Sequence, residues 1–212
     1  MRLTIFGASG QTGRHLVGQA LAAGHTVTAV VRDPTRLPIR HQRLKLVVAD
    51  VLDPAALQPA VAGADAVISA LGPHRPRNRS SIISAGTAAI LDAMGATGTS
   101  RLVVISAAPV AADDHGTTLG YRLLAGPLLR RLLGGLYADM ASMEDTIKRS
   151  GVDWTILRPP WLTGGPRTGT YRQAKDSNLR GGARISRADL ADAILASLDD
   201  PDTVKATIAI GY

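Results

Sequence analysis

The feature that most constrains this chain is the run Gly7-Ala8-Ser9-Gly10-Gln11-Thr12-Gly13. It follows the short apolar stretch Leu3-Thr4-Ile5-Phe6 and precedes a segment, Thr12 to Ala23, with Leu16, Val17, Ala20 and Leu21 at helical spacing. A buried strand, a glycine turn and a helix in that order form the opening of a parallel α/β unit. Three glycines at this spacing serve different ends. One permits a tight turn, one lets the backbone approach a diphosphate, and one lets helix and strand pack closely. The N-terminus of the helix then presents unpaired N–H groups and a positive dipole end to an anion. The turn therefore points to a dinucleotide, with Gly7, Ser9, Gly10, Gln11, Thr12 and Gly13 as its binding residues.

The rest of the chain repeats this alternation. Strands are expected at Thr26–Val31, Leu44–Ala49, Ala66–Leu71, Leu102–Ser106, Asp153–Leu157 and Thr203–Ile210. Between them, helices are expected from Pro54 to Ala62, from Arg79 to Met94, from Leu123 to Ser150 with an interruption near Gly134-Gly135, and over Arg187–Leu198. The segments from Ala107 to Gly120 and from Thr163 to Gly182 read as loops, the second as mobile. Strict β-α alternation implies a mainly parallel, doubly wound sheet with right-handed crossovers, in a single Rossmann-type domain over residues 1–212. The expected strand order is 3-2-1-4-5-6 with one or two strands added.

In such a sheet the ligand crevice lies outside the carboxyl ends of the strands. Arg32 ends the second strand, where an acidic residue would bind the ribose hydroxyl of NAD and an arginine suits the 2′-phosphate of NADP. The adjacent Asp33 presents the opposite chemistry, and Arg14 or Arg36 could also reach the phosphate. NADP(H) is therefore expected, with NAD(H) second. Asp50 and Val51 are placed beside the adenine, and Ala70, Leu71 and Gly72 beside the ribose and the route to the nicotinamide. Ser106 is the candidate catalytic residue near the nicotinamide, with Ala107 and Trp161 as substrate-binding residues. Trp161 follows the diproline Pro159-Pro160, which cannot continue a sheet, and its ring could stack on an aromatic substrate. The substrate site is expected from the loops at about 107–120 and 159–185.

Tyr171 and Lys175 match the Tyr-x-x-x-Lys spacing of short-chain dehydrogenases. That pair works when both side chains lie one turn apart on a helix, the lysine lowering the tyrosine pKa. Here it falls in a glycine-rich stretch and is not expected to act.

Composition narrows the remaining classes. The chain has 212 residues, 45% hydrophobic and 19% charged, enough for one sizeable core. Its lack of cysteine removes disulfides, thiolate metal sites and thiol redox chemistry. The five histidines show no metal-ligand spacing. The net charge of +7 sits mostly in loops and forms neither a basic recognition helix nor a stacking platform, so nucleic acid is not an expected partner. No membrane span or signal peptide is evident, and a cytoplasmic monomer or homodimer is expected.

Several motifs together resemble the atypical short-chain dehydrogenases of the NmrA-like NAD(P)H-binding family, the group that includes biliverdin reductase B. They are the glycine turn from Gly7 to Gly13, Val31-Arg32-Asp33, Asp50-Val51, Val103 to Ser106, the stretch from Ser150 to Pro160 and the stretch from Arg184 to Leu190. The resemblance implies NADPH as hydride donor and a shallow substrate site over the nicotinamide. Ser106 matches a serine assigned to that site in the family, while Trp161 stands where the family has a histidine. Without that imidazole, a flavin, quinone or related conjugated acceptor is the implied substrate, because such an electron-poor ring can take its proton from water. The competing expectation is an NADP(H)-sensing protein that acts through a partner. A nucleotide-sugar epimerase is a weaker third reading.

Overall fold

The apolar opening of the chain becomes β1 (Arg2–Phe6), with Leu3 and Ile5 facing one layer of the core and Phe6 the other. The architecture is that of a computed structural model, which describes residues 1–72, 81–110 and 126–212; the side chains of Pro109 and residues 126–133 are not described. After the glycine turn comes α1 (Gln11–Ala22), then β2 (Thr26–Val31), β3 (Leu44–Val48), α2 (Pro54–Val61) and β4 (Ala66–Ser69). The second half continues through α3 (Ile82–Thr97), β5 (Arg101–Ile105), α4 (Gly126–Arg149), β6 (Asp153–Arg158) and β7 (Trp161–Thr163). It closes with β8 (Arg172–Lys175), β9 (Arg184–Ser186), α5 (Arg187–Ala196) and β10 (Ala206–Gly211).

Eight strands form one sheet in the order β3-β2-β1-β4-β5-β6-β10-β8. The first seven of these are parallel, while β8 runs antiparallel on β10 at the edge. This is the expected Rossmann order with two strands added. Strand residues alternate between two core layers. Ile5, Ile68, Val103 and Leu157 pack with Leu16 and Val17 of α1 and Leu190 and Ile194 of α5. On the other face, Phe6, Val67, Val104 and Ile156 pack with Leu57 of α2, Ile90 of α3 and Met143 and Ile147 of α4. Few aromatics are needed because branched aliphatic residues fill a sheet buried on both faces.

Two expectations are corrected. α4 runs through Gly134 and Gly135 without interruption. Each glycine costs a helix only about 1 kcal/mol, and α4 packs against α3. The stretch from Thr163 to Gly182, expected as a loop, contributes β8 to the main sheet, and its flanks pair as β7 with β9. The carboxylate of Asp189 gathers it by accepting from Thr168 N at 2.7 Å, Thr168 Oγ1 at 2.8 Å and Gly169 N at 2.9 Å. The expected start of α3 at Arg79, most of the loop from Ala107 to Gly120 and the expected start of α4 at Leu123 lie outside the described residues. Among the described residues no helix is long and apolar enough to cross a membrane.

Candidate cofactor-binding site

The glycine turn is shaped by backbone contacts that leave no room for side chains. Gly7 has φ +71°, and a Cβ there would lie 2.4 Å from the carbonyl oxygen of Ala70. A Cβ on Gly13 would meet Gly7 O at 2.2 Å and Ala8 Cα at 2.8 Å. Gly13 thus serves the packing of helix on strand, buried below the surface that Gly7 and Gly10 form. Gly10 donates to Gly7 O at 2.9 Å and is the N-cap of α1, with no side-chain cap. The first N–H groups of α1 therefore need an external acceptor. That is the cradle an anionic diphosphate requires, and the residues present fit a dinucleotide.

The turn opens on a cavity of about 680 Å³, walled by Gly7, Ser9, Gly10, Gln11 and Thr12 on the α1 side. Ala70, Leu71 and Gly72 form a second wall after β4, Val51 with Ala49 a third after β3, and Arg32 with Arg36 the end after β2. Most expected cofactor residues are thereby brought together around one space. Asp50 is not: its side chain is exposed, stands outside the cavity wall and accepts from Leu52 N at 3.0 Å. Arg14 likewise stands outside the wall and donates to the carbonyl oxygen of Arg36 at 2.8 Å. Arg187 and Ile82 also line the cavity, and sequence reasoning had not singled them out.

Among the described residues the wall contains three arginines and no carboxylate. Asp33, the acid beside Arg32, caps the helical turn Pro34–Arg36, accepting from Thr35 Oγ1 at 2.6 Å and Thr35 N at 3.0 Å. Those hydrogen bonds, with the nearby charge of Arg36, hold its carboxyl below the ordinary value.

A second polar centre lies at the carboxyl ends of β5 and β6. Ser106 is 2% exposed, stands outside the cavity wall and donates to Glu144 Oε1 at 2.6 Å. Glu144, on α4, also accepts from Arg158 Nε at 2.9 Å, from Arg158 Nη2, and from Lys148 Nζ at 3.2 Å. Burial opposes the charge on Glu144, but hydrogen bonds from Arg158 and Ser106 and the two cations outweigh it and lower its pKa. An ionised carboxylate accepts only, so the Ser106 proton is directed at Glu144. The signal for Glu144 was legible: a glutamate at 144 stands within the apolar stripe Met140, Met143 and Ile147. Asp139 on the same helix accepts from Ile83 N at 3.0 Å and Ser84 N at 3.1 Å, satisfying the first turn of α3.

Ala107 is half-buried and packs against the α3–α4 layer. Trp161 opens β7 and is 73% exposed, beyond the cavity wall. Trp154, by contrast, is a core residue. Tyr171 and Lys175 lie along an extended strand edge, where their separation is about 13 Å. Tyr171 donates to Asp192 Oδ2 at 2.9 Å, and Lys175 Nζ donates to Asp202 O at 2.6 Å. Burial, followed by the hydrogen bond to Asp192, pushes the Tyr171 pKa up, the opposite of what a catalytic tyrosine needs.

The family model of NAD(P)H-binding proteins matches residues 7–201, from the first glycine of the turn to the segment before β10. The chain belongs to the NAD(P)H-binding family. Its similarity to the uncharacterized protein YwnB of Bacillus subtilis is 31% identity over 208 residues, covering 95% of this chain and 94% of that one. Among solved structures, a short-chain dehydrogenase/reductase from Veillonella parvula in complex with NADP shares the fold with a TM-score of 0.83. It is 22% identical, and the match covers 100% of this chain and 94% of that one. ChuY, an anaerobilin reductase from Escherichia coli O157:H7, matches with a TM-score of 0.79 at 21% identity, covering 99% and 96%. At these identities the two structures establish a common Rossmann-type fold for this member of the NAD(P)H-binding family.

Proposed function

We propose that the protein is an NADPH-dependent reductase that passes hydride to a flavin, quinone or related conjugated acceptor. The observation that carries the reading is a cavity wall that combines an uncapped helix N-terminus with, among the described residues, three arginines and no carboxylate. The α1 N-terminus and the Gly7–Gly13 turn hold the diphosphate, and Arg32 with Arg36 holds the 2′-phosphate. Asp33, engaged with Thr35, leaves the ribose end without the acid that NAD selection uses. Val51 packs beside the adenine, and Ala70, Leu71 and Gly72 flank the ribose. The NADP bound by the Veillonella parvula protein of the same fold supports this choice.

NADPH, when bound, supplies the hydride. Ser106 positions the nicotinamide end, accepting with its lone pairs while its own proton stays directed at Glu144. The proton for the reduced acceptor then comes from solvent, which suits a conjugated ring and not a substrate needing a built-in acid. Ala107 and the exposed ring of Trp161 contact the acceptor, Trp161 by stacking. ChuY, an anaerobilin reductase, is a reductase on this fold. The test is the loss of NADPH absorbance on incubation with FMN, riboflavin and simple quinones. Turnover with at least one supports the proposal, and none across the panel overturns it.

The second reading is a cofactor sensor without turnover. It is favoured by the engagement of Tyr171 and Lys175 elsewhere. Tight NADP(H) binding with no NADPH consumption and a co-purifying protein partner would select it.

A further inference from the structure

We infer that Arg187, the first residue of α5, is a ligand for the dinucleotide's diphosphate, gripping it from the flank of the glycine turn opposite Arg32. The inference rests on the cofactor reading above and assigns a residue that reading does not use. Arg187 is half-buried and lines the same cavity as Gly10 and Gln11. β2, which Arg32 directly follows, neighbours β1 on one side. α5 follows β9, whose Arg184 O accepts from Tyr212 N just after β10, beyond the opposite side of β1. The two arginines therefore approach the turn from opposite flanks.

The backbone that presents Arg187 is fixed in several directions. Gln19 of α1 donates through Nε2 to Ala188 O at 2.9 Å, tying the first turn of α5 to α1. Ser186 caps α5 by accepting from Asp189 N at 2.9 Å, donates to Pro166 O at 2.9 Å, and donates its N–H to Tyr212 Oη at 3.1 Å. The guanidinium, however, makes no hydrogen bond or ion pair among the described residues. The acids nearest in sequence are already occupied. Asp189 accepts from Thr168, Gly169 and Tyr212, and Asp192 pairs with Arg167 and Tyr171. A partly buried cation lacking a counter-ion is costly, and an anion in the cavity removes that cost. A diphosphate meets the fork of an arginine with two acceptors at once.

NADH and NADPH share the diphosphate, so Arg187 sets affinity for both, while Arg32 sets the choice between them. The experiment titrates wild type, Arg187→Ala, Arg187→Met and Arg32→Ala with NADPH, NADH and adenosine 2′-monophosphate. The methionine retains the aliphatic stem, so packing is preserved in one of the two variants. Loss of a charge-assisted contact predicts roughly tenfold or weaker binding of both dinucleotides by both Arg187 variants. Adenosine 2′-monophosphate, which lacks the diphosphate, should bind them as it binds wild type. Arg32→Ala should weaken NADPH and adenosine 2′-monophosphate and spare NADH. Unchanged dinucleotide binding by the Arg187 variants overturns the inference alone, as does equal weakening of all three ligands, which marks a structural role. Failure of wild type to bind either dinucleotide overturns the cofactor reading and the inference with it.

Discussion

The hydroxyl of Ser106 donates to Oε1 of Glu144 across 2.6 Å, at the point where β5 and β6 deliver their carboxyl ends to α4. Glu144 is 2% exposed and is the shared acceptor of Ser106, Arg158 and Lys148. Replacing it with alanine leaves Arg158, whose side chain is 17% exposed, facing the core without its partner. Glu144→Ala is expected to lower the unfolding free energy by about 3 kcal/mol in urea denaturation. Because the folded-state pKa of Glu144 is depressed, its stabilisation is present above the ordinary glutamate pKa and is lost as pH falls through the folded value.

Ser106 itself should matter less to the chemistry than its position suggests. With its proton directed at Glu144, Ser106→Ala should reduce kcat by much less than the roughly hundredfold that loss of a general acid costs. Steady-state rates of wild type and variant with the same acceptor check this. A hundredfold fall would make Ser106 the proton donor.

Asp189 links pH to the segment between β7 and β8. Burial opposes its charge, yet hydrogen bonds from Tyr212, Gly169 and Thr168 more than offset this and hold its pKa to about 2. Its stabilisation is therefore fully present above the ordinary aspartate pKa near ~4 and is lost as pH falls toward about 2. Asp189→Asn should be less stable than wild type at neutral pH, and the gap should narrow on acidification below about pH 4. Trypsin should also cut faster after Arg167 in the variant, because the contacts to Thr168 and Gly169 are lost.

How much of this was legible in the sequence differs from residue to residue. The turn from Gly7 to Gly13 could be read directly, because its demands are local: a positive φ, a close carbonyl and an open helix end. Alternation and crossover handedness gave a parallel sheet but left its order open, and the order came only from the Rossmann pattern that the turn suggests. Arg32, Val51 and Gly72, singled out for lying at strand ends, line the cavity. Asp50, expected beside Val51, stands outside the cavity wall because an aspartate after a strand can turn back onto the backbone two residues on, as it does at Leu52. β7, β8 and β9 were illegible because they are short and held by partners far along the chain, chiefly Asp189 and β10. Arg187 lies in the family-like stretch from Arg184 to Leu190, but nothing local placed it at the cavity, because that place depends on α5 packing beside α1.

Two glycines of the α1 region should respond oppositely to alanine. At Gly13 the new Cβ meets backbone at 2.2 Å, so Gly13→Ala should destabilise by about 3 kcal/mol or more and weaken dinucleotide binding. At Gly18, exposed on α1 with no atom within 4 Å, the same change should stabilise by about 1 kcal/mol. Thermal and urea denaturation of the two variants side by side check the pair.

Tyr171→Phe removes one hydrogen bond to Asp192 and should lower stability by about 1 kcal/mol. Its kcat/KM for NADPH-dependent turnover should stay at the wild-type value. A large loss of turnover with unchanged stability would restore the Tyr171–Lys175 pair as a catalytic unit.

The central claim is that a cavity lined, among the described residues, by arginines and no carboxylate selects NADPH. Its most direct measurement is the pair of dissociation constants for NADPH and NADH by calorimetric titration of the wild-type chain. The 2′-phosphate contacts proposed for Arg32 and Arg36, which line the cavity, predict NADPH bound at least about tenfold more tightly. Equal affinities, or tighter binding of NADH, would contradict the account.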